Sequence, residues 1–243
     1  MKKFYEDPRV ISGAFCFKPL FSGCTNLRMQ ITLNKVVPIP LKDKLLHRPS
    51  DIWNVQQHFK PHEWVKIKAP SGTGKTTLTH ILYKLRFDYL GDVLWNDKNI
   101  NDINADQLAA ARQQKISIVF QDSRLFANLT ARENIELNRV LQQPYYETSM
   151  VDDMAARLGI THILNQQAGL CSYGEQQRIA IIRSLVQPFE FLLMDEPFSH
   201  LDNDNIAIAS ALIAEECKKR NAGFMLTDLD DDDHFNYDRK LTL

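Results

Sequence analysis

The sequence predicts an α/β fold with a parallel sheet. Apolar strand-like segments alternate with helix-like segments along most of the 243 residues, and one strand runs into a glycine-rich loop that opens a helix. Such alternation is typical of parallel strands covered by helices. Between Gln121 and the apolar segment Phe191–Met194 the pattern is helical only. We therefore expect an all-helical insertion at that place.

Residues 29–68 are predicted to be rich in β-structure. Short strands are expected at Gln30–Leu33, Val36-Val37, Ile52–Val55 and Trp64–Ile67, with prolines 38, 40 and 49 in edges and connections. After the glycine loop, the spacing i, i+3, i+4, i+7 predicts one buried helix face made of Leu78, Ile81, Leu82 and Leu85. A strand at Val93–Trp95 follows.

The second half continues the alternation. Ile116–Phe120 has the composition of a buried strand that ends at Gln121. Thr130 and Glu133 have capping-box spacing and begin a helix through Asn134–Leu141. Further helices are expected at about Met150–Leu158, from Ser172 onwards, and at Ile206–Arg220, and further strands at Phe191–Met194 and Phe224–Leu226.

Composition narrows the possible functions. The 29 Lys and Arg against 30 Asp and Glu give no basic surplus, so we expect no nucleic-acid partner. The four cysteines, Cys16, Cys24, Cys171 and Cys217, have no CxxC spacing, which favours free thiols in a reducing compartment. No apolar run approaches the ~20 residues of a spanning helix, so any membrane role would come through a partner.

Residues 1–28 are predicted to be an extension outside the domain, either disordered or not native to it, with the domain at 29–243. Lys2-Lys3 and Cys24 resemble parts of a lipoprotein signal peptide. However, Glu6, Asp7 and Arg9 interrupt the apolar core that such a peptide requires.

The segment Ala69-Pro70-Ser71-Gly72-Thr73-Gly74-Lys75-Thr76-Thr77 fits the phosphate-loop pattern GxxxxGK[ST] except at its first residue. The glycines allow backbone N–H groups to turn towards phosphate oxygens at the positive end of the next helix. Lys75 can then reach the β- and γ-phosphates, and the Thr76 hydroxyl can ligate Mg²⁺. A chance glycine-rich turn is the alternative, which the preceding strand and the following helix disfavour.

Two further motifs complete a nucleotide site. Asp195-Glu196 ends the apolar strand Phe191–Met194, where Asp195 would support Mg²⁺ and Glu196 would act on the attacking water. An acidic strand end is by itself often only a solvated edge. Gln121 follows another strand, in the run Val119–Phe126.

These motifs, in this order, resemble those of the ATP-binding cassette (ABC) family. The octet Cys171-Ser172-Tyr173-Gly174-Glu175-Gln176-Gln177-Arg178 is similar to the family's signature motif, Pro197–Asp202 to its D-loop, and Val119–Phe126 to its Q-loop. The resemblance covers residues 29–243. The run Leu129–Ile135 is similar to the cassettes of lipoprotein-release, macrolide-export and cell-division systems.

The resemblance implies a P-loop NTPase core with an N-terminal antiparallel β subdomain and a helical subdomain at about 122–187. It implies an ATPase that binds ATP and Mg²⁺ in a head-to-tail homodimer and drives a separate integral-membrane permease from the cytoplasmic face of the inner membrane. The catalytic residues would be Glu196, Gln121 and Asp228, and the Mg²⁺ ligands Thr76, Gln121 and Asp195. ATP would be held by residues 69–77 of one subunit and by Ser172, Gly174 and Glu175 of the other.

Three departures from the family pattern leave an alternative open. Tyr173 stands where a glycine is usual, Asp228 stands where the switch histidine is usual, and only Val37-Pro38 is found where an adenine-stacking aromatic is expected. A nucleotide-gated regulatory or scaffold cassette with weak hydrolysis is therefore the second hypothesis. His234 is a candidate replacement for the missing histidine, although a surface histidine is the simpler interpretation.

A third hypothesis, a chromosome-maintenance or DNA-repair ATPase, is disfavoured because there is no coiled-coil insertion. The acidic run Asp230–Asp233 is expected to be a solvated turn rather than a metal site, because no second ligand cluster accompanies it.

Overall fold

The computed structural model describes residues 28–45, 48–141, 144–229, 231 and 233–243. They form an antiparallel sheet in the order β2-β1-β4-β5, made of β1 (Ile31–Pro38), β2 (Gln56–Phe59), β4 (Tyr89–Trp95) and β5 (Lys98–Asn99). A parallel sheet in the order β6-β7-β8-β3-β9 is made of β3 (Trp64–Lys68), β6 (Ile116–Val119), β7 (Phe191–Asp195), β8 (Gly223–Asp228) and β9 (Arg239–Thr242).

Helices alternate with these strands along the chain, and the predicted fold class is confirmed. They are α1 (Lys42–Leu45), α2 (Lys75–Leu82), α3 (Ala105–Gln114), α4 (Ala131–Val140), α5 (Thr148–Arg157), α6 (Tyr173–Val186) and α7 (Asn203–Arg220). Helices α4, α5 and α6 occupy the chain between β6 and β7, where the all-helical insertion was expected.

Both faces of the parallel sheet are buried. Leu192 and Met194 of β7 belong to one hydrophobic core, and Phe191 and Leu193 of the same strand belong to the other. Successive side chains of a strand point to opposite faces, so a strand between two cores must be apolar throughout. This explains the unbroken apolar run before Asp195.

Two local predictions are wrong. Ile52–Val55 is a turn and not a strand, because the N–H groups of Ile52 and Trp53 donate to the Ser50 hydroxyl at 3.1 and 2.9 Å and Asn54 has φ 58°. Leu85 does not continue the buried face of α2, because that helix ends at Leu82 and Lys84 adopts φ 57°.

Two elements were not predicted. Helix α3 begins with a capping box between Asn104 and Gln107, a signal that is present in the sequence. Strand β9 pairs with β3, and its alternating exposure marks it as the edge of the sheet.

Some expectations fall on residues that the structure does not describe. Residues 1–27, with Cys16 and Cys24, lie outside the described residues, as do Asp230 and Asp232. Cys171 and Cys217 are buried and free. Among the described residues, no helix is long and apolar enough to cross a membrane, and no group of three His, Cys, Asp or Glu side chains is arranged to hold a metal ion.

Candidate active site

The predicted phosphate loop connects β3 to α2. Parallel strands end at a common edge of the sheet, and this edge carries the loop after β3, Gln121 after β6, Glu196 after β7 and Asp228 at the end of β8. The sheet topology therefore gathers four segments that are far apart in the sequence.

The glycines permit the shape of the loop. Gly72 and Gly74 adopt φ 78° and 106°, which side chains with a Cβ rarely adopt. A Cβ on Gly74 would lie 2.8 Å from Leu41 Cδ1 and 3.2 Å from Trp53 Cζ2. The loop is also held by the Trp53 indole N–H, which donates to the Thr73 carbonyl at 3.2 Å. Trp53 was not identified from the sequence, where it falls in the mispredicted strand.

Lys75 and Glu196 form an ion pair at the base of the loop. Lys75 Nζ lies 3.2 Å from Glu196 Oε1 and donates to the Ala69 carbonyl at 2.8 Å. Both side chains are buried. Ala69 in turn donates its N–H to the Asp228 carbonyl at 2.9 Å, which fixes the start of the loop against β8.

Gln121 connects this pair to Thr76. Its amide donates to Glu196 Oε2 at 3.1 Å, and its carbonyl oxygen accepts from the Thr76 hydroxyl at 3.3 Å. Lys75, Thr76, Gln121 and Glu196 thus form one connected network.

Asp195 lies behind this network and is buried. Its carboxylate accepts hydrogen bonds from the hydroxyls of Thr227, at 2.7 Å, and Thr79, at 3.4 Å. Each hydroxyl is supplied by a neighbouring element, β8 or α2. These two donors were not predicted from the sequence, because only the packed sheet brings them to Asp195.

The start of α6 forms a second polar surface. Ser172 caps the helix, and its hydroxyl and backbone N–H each donate to Glu175 Oε2 at 2.8 Å. These hydrogen bonds hold the pKa of Glu175 below its ordinary range. Gly174 packs against the loop after β7, where an added Cβ would be 2.8 Å from the His200 carbonyl oxygen.

The comparisons with known proteins agree with this geometry. The family description "ABC transporter" matches residues 52–199. The chain belongs to the ABC transporter family. This confirms the resemblance on which the site was predicted.

Curated ABC relatives include proteins named for import and for export. The chain is 36% identical over 143 residues to the ABC transporter ATP-binding protein YxdL of Bacillus subtilis, covering 58% of this chain and 56% of that protein. It is 31% identical over 198 residues to the thiamine import ATP-binding protein ThiQ of Haemophilus influenzae, covering 81% and 86%. It is 31% identical over 141 residues to the macrolide export ATP-binding/permease protein MacB of Bdellovibrio bacteriovorus, covering 58% of this chain but 22% of MacB.

Solved ABC cassettes have the same fold. The dimeric structure of MJ0796, a bacterial ABC transporter cassette, superposes with a TM-score of 0.71 at 26% identity, over 82% of this chain and 88% of that one. A post-hydrolysis dimer of MJ0796 bound to ADP and Pi gives a TM-score of 0.70 at 25% identity, over 82% and 88%.

Tyr173 and Asp228, which depart from the ABC pattern, each contact a charged or aromatic neighbour. Tyr173 points outwards, with its ring centroid 5.2 Å from that of His200. Asp228 Oδ2 lies 3.6 Å from Lys66 Nζ, and Asp228 Oδ1 accepts the Leu229 N–H at 2.7 Å. Lys66 is wholly buried on β3, in the strand that leads into the loop.

His234 and the acidic run make other contacts. His234 lines a cleft of about 450 Å³ with Trp64 and Ala222, near the start of β3 and β8, and its ring centroid also lies 5.6 Å from that of Phe198, two residues after Glu196. Asp231 and Asp233 form ion pairs with Lys68 and Lys240, at 2.5 and 2.9 Å. For these two aspartates a charged turn, and not a metal site, fits the contacts.

Proposed function

We propose that this chain is the ATP-hydrolysing subunit of an ABC transporter. The observation that carries the proposal is the network of Lys75, Thr76, Gln121 and Glu196 at the base of the glycine loop. In this network Lys75 can bind phosphate, the oxygen atoms of Thr76 and Gln121 can ligate a divalent cation, and the Glu196 carboxylate can accept a proton from water. Family membership supports this assignment.

Residues 69–77 would bind the phosphates of ATP. The N–H groups at the start of α2 provide partial positive charge, and Lys75 provides a full one. The ammonium now interacts with Glu196 and Ala69. Bound phosphate would draw it away from Glu196, which frees the carboxylate to accept a proton from the attacking water.

The oxygen atoms near the loop fit Mg²⁺. Thr76 and the Gln121 carbonyl oxygen are 3.3 Å apart, and the buried Asp195 carboxylate lies beside α2. Hard oxygen ligands of this kind suit Mg²⁺, which usually keeps several waters and binds phosphate oxygens. When bound, Mg²⁺ would neutralise developing phosphate charge.

The second polar surface would serve a partner subunit. In the head-to-tail dimer that we propose, Ser172, Gly174 and Glu175 of one chain face the phosphates held by the other chain's loop. Closure of the dimer would move a separate integral-membrane permease, with the cassette at the cytoplasmic face of the inner membrane. For the direction of transport we propose export or lipoprotein release. The run Leu129–Ile135 and the match to MacB support this proposal.

Asp228 would contribute through its pair with Lys66. An ionised carboxylate only accepts hydrogen bonds and would repel phosphate, but a cation at 3.6 Å offsets its charge. A regulatory cassette with weak hydrolysis remains the second candidate function, because Tyr173 and Asp228 both depart from the pattern beside the phosphates.

The test is ATP turnover by the purified chain, measured as phosphate release in Mg²⁺-ATP. We expect Glu196→Gln to lower kcat by about 100-fold or more, because it removes the general base. Glu215→Gln is the matched control, since Glu215 is an exposed carboxylate on α7 that pairs with Arg157 at the end of α5. If the wild type hydrolyses ATP no faster than Glu196→Gln, with or without a co-expressed permease, the regulatory function replaces the proposed one.

A further inference from the structure

His200 and the signature helix α6 form one rigid surface. The His200 N–H donates to Gln177 Oε1 at 3.0 Å, and Gln177 Nε2 donates to the Ser199 hydroxyl at 2.7 Å. Gln177 is buried. The tight contact between Gly174 and the His200 carbonyl closes the same joint. These contacts join the loop after β7 to the helix that begins beside Ser172.

The imidazole of His200 is held at the exposed end of this surface. Its ring lies 5.2 Å from the Tyr173 ring at an angle of 32°. Tyr173 is 72% exposed, so the contact does not bury the ring pair in the core. A tilted aromatic contact restricts how the imidazole turns while leaving its edge free to contact another molecule. Tyr173, which replaces the usual glycine, would therefore orient the His200 imidazole.

Asp228 stands at the position of the family's switch histidine and cannot replace it as a hydrogen-bond donor to phosphate. The Asp228 carboxylate interacts with Lys66 and with the Leu229 N–H, and an ionised carboxylate has no proton to donate. Of the other described histidines, His58 interacts with Thr32 and His80 with Arg124, and His162 lies 3.5 Å from Glu175.

We propose that His200 of one subunit supplies the imidazole that donates a hydrogen bond to the γ-phosphate in the partner's site. The proposal rests on the head-to-tail dimer proposed above, in which the residues beside Ser172 face that phosphate. A donor contributed by the second subunit makes hydrolysis depend on dimer closure. An ADP-bound site offers His200 no γ-phosphate, so the contact distinguishes ATP from ADP.

Homodimers give the first test. His200→Ala should lower kcat by at least about tenfold, because removal of one positioned donor costs on the order of 10²–10³ in an oxyanion site. His200→Asn keeps a donor and should recover part of the rate. His162→Ala is the matched control, because His162 is also exposed and also touches the start of α6, through Glu175 at 3.5 Å. An unchanged kcat in His200→Ala would overturn the proposal.

Mixed dimers test whether His200 acts across the interface. One dimer pairs a Lys75→Ala subunit with a His200→Ala subunit, and the other pairs the wild type with a Lys75→Ala/His200→Ala double variant. Two different affinity tags allow each mixture to be isolated. Both dimers contain the same two substitutions and one intact phosphate loop.

Only the first dimer places a wild-type His200 opposite the intact loop, so it should hydrolyse ATP at least about tenfold faster than the second. The reverse order would show that His200 acts within its own subunit, and equal rates in both dimers would also contradict the proposal. A wild type without turnover would instead refute the proposed function, so the two failures are distinguishable.

Discussion

At the scale of single residues, Lys66 is the least expected feature of the site. It is a wholly buried lysine on β3, the strand that leads into the phosphate loop, and its ammonium lies 3.6 Å from Asp228 and 6.0 Å from the centroid of the Tyr237 ring. A buried charge is costly unless it is compensated. The Asp228 carboxylate is therefore a structural partner of the strand, at the same edge of the sheet as the phosphate loop.

A double-mutant cycle on Lys66 and Asp228 tests this pair. Asp228→Asn should destabilise the fold by about 1 kcal/mol or more, because it removes a carboxylate 3.6 Å from the buried ammonium. Lys66→Met/Asp228→Asn should regain at least about 1 kcal/mol relative to the sum of the single variants, as expected for residues in contact. Urea unfolding of the four proteins measures both quantities. Additive effects would mean that the pair is not coupled.

The sequence could identify the loop, Gln121, Asp195 and Glu196, because their motifs are contiguous along the chain. It could not identify Lys66 or Thr227, nor the contacts that Gln177 of the signature-like octet makes with Ser199 and His200. Lys66 meets Asp228 only because β3 and β8 are adjacent parallel strands, with Lys68 in register with Asp228. Thr227 reaches Asp195 through the pairing of β7 with β8. These contacts depend on strand order, which a linear pattern does not encode.

At the scale of elements, the sequence was most informative where a helix begins. The predicted starts at Thr130 and Ser172 are confirmed as capping boxes, because the side chains that satisfy free N–H groups must lie within three residues of one another. It was least informative where a local hydrogen bond from a side chain competes with strand propensity. In Ile52–Val55, β-branched residues predicted a strand, but Ser50 turns the chain.

We expect Thr130→Ala to lower the free energy of unfolding by about 1 kcal/mol, because the helix α4 loses its cap. The Thr130 hydroxyl accepts the Glu133 N–H at 3.1 Å, and this bond is lost in the variant. Thr130→Ser retains the hydroxyl and is the control, which should stay near wild type. Chemical unfolding at neutral pH measures the difference. A Thr130→Ala protein as stable as Thr130→Ser would contradict the role of the cap.

The cap at Ser172 also predicts a dependence on pH. Glu175 has a lowered pKa because it accepts hydrogen bonds from Ser172. A carboxylate whose pKa is lower in the folded protein stabilises it above the unfolded pKa of about 4.3, and this contribution is lost as the pH falls through the folded value. Glu175→Gln should therefore lose less stability than the wild type between about pH 6 and pH 3. Parallel curves in the acid limb would refute this prediction.

At the scale of the whole molecule, one chain carries two polar surfaces that differ in composition. The glycine loop with Lys75 and Glu196 is positioned by the parallel sheet, and Ser172 with Tyr173 and His200 is positioned by the joint between α6 and the loop after β7. Such a chain suits a two-fold dimer in which the glycine loop of each subunit contacts the Ser172 surface of the other. This arrangement contains two equivalent sites and is closed. MJ0796, whose fold this chain shares, has been solved as a dimer.

The assembly should depend on nucleotide. Glu196→Gln should hydrolyse ATP slowly and so keep it bound, and we expect this variant to shift from monomers of 28.0 kDa to dimers in Mg²⁺-ATP but not in Mg²⁺-ADP, as measured by light scattering after gel filtration. Adding Tyr173→Arg should leave the monomer folded, because the ring is exposed, and should abolish the dimer by placing a bulky cation at the proposed interface. Leu141→Arg is the control, since Leu141 is similarly exposed but lies at the end of α4. If Tyr173→Arg dimerises as readily as this control, the surface at the start of α6 is not where the two chains meet.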